Sequence, residues 1–203
     1  DGALVVRAAR LFDGIGGGYR RDQDIVIREG RIATIEDRAD RDGMIVIDMG
    51  DLAVLPGLVD AHARLPAATE PATGPLLLAA GVTTVVADHA QAEHLNTIWS
   101  GKEMPGPRLL PVGDWKVGKV SGLADSLTPG LDPLLRSRPA RLIGFDAIVA
   151  RRFSEMPTID HGVTGTVMGS RANGVPAGIG TQAELRALRA AGLTAEQALR
   201  SAG

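Results

Sequence analysis

The sequence contains no cysteine. That excludes disulfides, thiolate metal sites and a cysteine nucleophile, and it leaves the redox compartment open. Aromatic residues supply only 3% of the chain, within an apolar total of 44%. Any core must therefore be built from Val, Ile, Leu and Ala, which buried parallel strands favour. An excess of one charge sign is also missing, since 22 Lys and Arg stand against 24 Asp and Glu, a formal net of -2. Such a balance gives no electrostatic footprint for nucleic acid or an anionic membrane surface. No apolar run approaches the roughly 20 residues of a membrane helix, and no secretory leader pattern opens the chain. A cytoplasmic protein acting on a small molecule, with no nucleic-acid or membrane partner, is the expectation. The first residue is Asp1 and not Met, so the start is expected to be a processed or trimmed end.

A chain of 203 residues suits one large domain or a small one joined to a medium one. Its pattern changes near residue 50. Residues 1–50 read as short strands: Ala3–Ala9 is apolar, Asp24–Arg28 and Arg31–Ile35 alternate around a Glu29-Gly30 turn, and Met44–Met49 adds one more. From residue 51 strands alternate with helices, which indicates a parallel sheet. Leu52–Asp60, Gly81–Ala87, Pro107–Val112 and Arg141–Val149 are the expected strands. The expected helices are Gly74–Ala80, Gln91–Ser100, Pro129–Arg136, Ala183–Ala191 and Thr194–Ser201, with Gly192 and Thr194 as caps between the last two. Gly16-Gly17-Gly18 lacks nucleotide-loop spacing and opens no helix.

The stretch Val54-Leu55-Pro56-Gly57-Leu58-Val59-Asp60-Ala61-His62-Ala63-Arg64 organises the rest. On a strand the side-chain period is two, so Asp60, His62 and Arg64 point to one side where the strand ends. Ligands of parallel sheets bind at such carboxyl ends, although a buried strand with a polar exit would look the same.

The string resembles the first-strand motif of the amidohydrolase superfamily, P-G-[LIV]-[IV]-D-x-H-x-H. Pro56, Gly57, Asp60 and His62 match, and Arg64 stands where the second His would be. Further matches follow in the family's order. Residues 24–35 resemble its N-terminal flank, Gly81–Val86 its second strand and Gly106–Leu110 its third. Ile159-Asp160-His161-Gly162 resembles the sixth strand, Val175–Gln182 the eighth, and Glu184–Ala202 the helix pair after it. The resemblance implies an α/β fold, a TIM-like (β/α) barrel over residues 51–203, with a small β-sandwich-like flank over residues 1–50. A full barrel takes about 250 residues, whereas residues 51–203 leave about 150. Either the barrel is shortened or the sequence omits segments of a longer protein. Strand edges left open would need covering, and a homo-oligomer is the expected cover.

The same resemblance implies hydrolysis of a C–N bond in a small amide, cyclic or open, by metal-activated water, most like the imidazolonepropionase and cyclic-amidase branches. His62 and His161 are the implied ligands of zinc or another divalent metal. Arg64 cannot coordinate, and Gln182 stands where the family places an aspartate that is both ligand and base. Asp60, Asp88 and His89 are the candidate catalytic residues for proton handling. Arg64, Asp114, Lys116 and Gln182 are candidate substrate contacts, Arg64 because a guanidinium can hold a carboxylate or phosphate bidentately. Two other readings stay open: a metal-free descendant using His62, His89 and Arg64 for isomerase or lyase chemistry, and a pseudoenzyme serving as a binding or assembly module.

Overall fold

The structure is a computed structural model that describes residues 2–61, 63, 65, 72–87, 89–101, 104–111, 119–120, 166–168, 178–190 and 192–202. For residues 89, 90, 119, 120, 166 and 167 it describes the backbone alone. The chain divides into two compact units, Asp1–Pro56 and Gly57–Gly203, past the boundary expected at residue 50.

In the first unit, β1 (Leu4–Leu11), β2 (Arg20–Arg28), β3 (Arg31–Asp37), β4 (Ile45–Asp48) and β5 (Ala53–Val54) form one sheet. Its order is β3-β2-β1-β4, with β5 also on β1. The β2–β3 hairpin turns at Glu29 and Gly30, both with positive φ (50° and 71°). Two left-handed residues twist the chain in the sense that the flanking strands require. The sandwich implied by resemblance is met, among the described residues, by this single mixed layer. On it, Arg7 pairs with Asp24 across β1 and β2. Asp24 is fully buried, and it is satisfied by the Arg7 guanidinium (2.8 and 3.0 Å), Arg41 Nε (3.1 Å) and the Ala39 N–H (3.2 Å).

The second unit opens with β6 (Leu58–Asp60), α1 (Thr73–Ala79), β7 (Val82–Ala87), α2 (His89–Trp99) and β8 (Arg108–Pro111). These strands form a parallel sheet in the order β6-β7-β8. Each is joined to the next through a helix, as the alternating pattern suggested. Leu58, Val82, Val85 and Leu109 pack with Leu77 of α1 and Leu95 and Trp99 of α2 in the core. Lys119–Val120 (β9) pairs in parallel with Thr166–Val167 (β10). Two helices follow, α3 (Ile179–Ala190) and α4 (Ala195–Arg200). Thr194 caps α4 as expected: its Oγ accepts from the Gln197 N–H while Gln197 Oε1 accepts from the Thr194 N–H. Among the described residues, no helix is long and apolar enough to cross a membrane.

Two expectations are corrected. Leu52–Asp60 is two strands and not one. Ala53–Val54 pairs with β1, whereas Leu58–Asp60 pairs with β7, so the Pro56-Gly57 step passes the chain from one sheet to another. The stretch read as an eighth strand is helical from Ile179, and the Gln182 N–H already bonds the Gly178 carbonyl one turn earlier. At Leu109 of β8, Asn96 Nδ2 donates to the main-chain carbonyl and Asn96 Oδ1 accepts from the N–H. A three-stranded parallel sheet is thus what the described residues show of the expected barrel. The expected helix at Pro129–Arg136 and strand at Arg141–Val149 lie outside the described residues.

Candidate functional site

β6 delivers Asp60 to the carboxyl end of the parallel sheet, where its backbone lies opposite Val85. The flanks of this short strand are firmly held. On one side is the β7 ladder. Elsewhere the Val59 N–H donates to the Ala202 carbonyl and the Ala61 N–H to the Met168 carbonyl (2.9 Å). Gly57, just before the strand, has no room for a side chain because Thr83 of β7 lies against it.

Asp60 is only 1% exposed. Its Oδ2 accepts a hydrogen bond from Thr181 Oγ1 at 3.0 Å, and Thr181 is itself 1% exposed. Thr181 lies in the first turn of α3, so the bond ties the end of β6 to the start of a helix far along the chain. Glu184, one turn further on, is fully buried as well. Sequence reasoning missed both Thr181 and Glu184. The available signal for Thr181 was its place beside Gln182, in the stretch matched to the family.

Gln182 is exposed, and its side-chain amide donates to the Ala80 carbonyl at 3.1 Å. Its place in the first turn of α3, with its amide on α1's C-cap residue, is the finding for this candidate substrate contact. His62, Arg64, Asp88, Asp114, Lys116 and His161 lie outside the described residues, as does the side chain of His89, whose backbone opens α2. Asp60 and Gln182 are therefore the two candidates whose side chains can be placed. Among the described residues no group of three or more His, Asp or Glu could hold a metal ion.

No family model matches the chain. It is 42% identical over 59 residues to an N-acyl-D-aspartate deacylase of Alcaligenes xylosoxydans xylosoxydans, covering 29% of this chain and 12% of that protein. It is 24% identical over 208 residues to a dihydroorotase of Ruminiclostridium cellulolyticum, covering 86% of this chain and 48% of that one. The chain thus spans less than half the length of either curated relative. A solved Xaa-Pro dipeptidase with bound methionine in its active site aligns with 93% of this chain and 44% of its own, at 20% identity and a TM-score of 0.46. The ordered motifs from residue 24 to residue 202 and the two curated relatives point to the amidohydrolase superfamily.

Proposed function

We propose that the protein takes part in amidohydrolase-type hydrolysis, cleaving a C–N bond of a small amide, cyclic or open. The observation that carries this reading is the parallel β6-β7-β8 sheet, which brings Asp60 to its carboxyl end with His62 two residues further on. The relatives support the same chemistry, since an N-acyl deacylase is by name an enzyme that releases an acyl group from nitrogen.

His62 and His161 are donors of the kind a zinc or other divalent ion takes, and they are the residues that would hold it. Arg64 cannot serve, and Gln182 offers only a neutral amide already engaged with Ala80. The donor set thus fits a divalent ion in kind, with one ligand fewer than the three protein ligands usual at catalytic zinc. A bound ion would lower the pKa of a water molecule and polarise the amide carbonyl. Asp88 and His89, at the exit of β7, are the residues we assign to proton handling, because an imidazole oriented by a carboxylate works near neutral pH. Arg64, Asp114 and Lys116 are the residues we assign to substrate contact, the cations Arg64 and Lys116 favouring an anionic group. Residence in the cytoplasm and assembly of like copies belong to the same proposal.

Metal analysis of the purified chain, with His62→Ala as control, tests it. About one divalent ion per chain, lost in the variant and accompanied by hydrolysis of amide or lactam substrates, is the expected result. No metal after zinc is added, together with no hydrolysis, overturns it.

A further inference from the structure

Asp60, Val85 and Leu109 form one cross-strand row of the parallel sheet. Side chains in such a row share a face. Val85 and Leu109 are buried and pack in the core with Leu77 of α1 and with Leu95 and Trp99 of α2. The Asp60 carboxylate is therefore turned into the helical layer, in keeping with its bond to Thr181 Oγ1. The neighbouring row on the opposite face, Val59, Thr84 and Arg108, is half-buried to exposed.

α3 has no acidic residue in its own first turn. The unpaired N–H groups of such a turn carry partial positive charge, which a carboxylate offsets. Asp60 brings one from 121 positions away and meets the turn through Thr181. The end of α1 holds the same turn at a second place. There the Gln182 amide donates to the Ala80 carbonyl, and a β-carbon on Gly178 would fall 2.3 Å from that of Ala80. The start of α3 thus rests on two supports, the end of β6 and the end of α1.

We propose that Asp60 is a positioning residue and not a proton carrier: it supplies the counter-charge that docks the first turn of α3, and through Thr181 it fixes the adjacent Gln182 on Ala80. A group that handles a substrate's proton must come within hydrogen-bond reach of it. This carboxylate is 1% exposed and faces the helices. The assignment does not rest on the hydrolysis proposed above.

Amide exchange of the full chain, read residue by residue by NMR, tests this. Asp60→Asn keeps the shape and loses the charge. It should speed exchange at Ala183 and Glu184 by roughly 2- to 30-fold, relative to Leu95 on α2 as the reference for global opening. Thr181→Val should do the same, and Thr181→Ser, which keeps the hydroxyl, should not. The side-chain NH2 signals of Gln182, identified with Gln182→Ala, should move in Asp60→Asn and Thr181→Val and stay in place in Thr181→Ser. Unchanged α3 exchange and unmoved Gln182 signals in a folded Asp60→Asn protein overturn the proposal. So does loss of hydrolysis in an Asp60→Asn protein whose α3 exchange matches the parent. Should Asp60→Asn not fold, the two Thr181 variants carry the same comparison from the other partner. If the parent hydrolyses no amide or lactam while the exchange and Gln182 responses appear, the hydrolysis reading fails and the positioning role stands.

Discussion

Gly57 lies directly against Thr83, so closely that a β-carbon on Gly57 would fall 2.7 Å from Thr83 Cβ and nearer still to its γ atoms. The glycine of the Pro-Gly motif is therefore required by the approach of β7 to the start of β6. Turning the Thr83 side chain would not clear the overlap, because its Cβ is part of the clash. We predict that Gly57→Ala costs roughly 1–3 kcal/mol through overpacking. Urea unfolding of parent and variant measures it, and equal midpoints would remove the packing explanation.

Asp24 is held well below the usual carboxylate range, first by its hydrogen bonds from Arg7, against an opposing effect of burial, with Ala39 and Arg41 adding to the lowering. Its folded-state pKa lies below its unfolded value of about 3.9. The stabilisation is then present above about pH 4 and is lost as pH falls towards the folded pKa. Asp24→Ala should destabilise the first unit by roughly 1–3 kcal/mol at pH 7, because it removes the charged hydrogen-bond partner of the half-buried Arg7, while Arg41 keeps Glu36. The gap between parent and variant should narrow steadily as unfolding is followed from pH 5 to pH 2.

Asn96 should behave as an edge cover. Both main-chain groups of Leu109 bond its side chain (3.0 and 3.1 Å), and the Leu109 side chain is buried. Asn96→Ala strips both partners at once, for which we expect a loss of roughly 1–3 kcal/mol. Amide exchange at Leu109 is the direct reading: the parent should protect it, and the variant should exchange faster by the factor that this free energy sets.

For Thr194 the expectation is smaller and local. Its capping box satisfies two N–H groups around the start of α4, those of Thr194 and Gln197. Thr194→Ala should cost about 1 kcal/mol and Thr194→Ser almost nothing, since serine caps equally well. Thermal melts of the two variants side by side decide it.

Some of this architecture is written locally in the chain. Arg28-Glu29-Gly30-Arg31 is a hairpin because the φ values its turn needs suit glycine, whatever lies elsewhere. The alternation of apolar runs and amphipathic segments from residue 51 gave β7, α2 and β8 in their order, and the Thr194–Gln197 spacing gave a cap. These features depend on residues within a few positions of one another. The family motifs pointed to the end of β6 as the place proposed for the site.

Other features were decided only in three dimensions. Leu52–Asp60 reads as one apolar run, yet its two halves join different sheets, because β1 and β7 compete for neighbouring residues and a period of two cannot name a partner. Gln182 was read at a strand end, but the Gly178 carbonyl already takes its N–H in a helical turn. Thr181 and Asp60 meet across 121 positions. Nothing in the composition around either residue marks the other, since what pairs them is the exclusion of water from a place that exists only once α3 has packed beside β6. The sequence determined the order of strands and helices such as β7, α2 and β8 and the resemblance to the amidohydrolase superfamily, because those rest on local propensity and on order along the chain. Which side chains are sealed together was decided by the tertiary structure, because burial is a property of the assembled fold and not of any one segment.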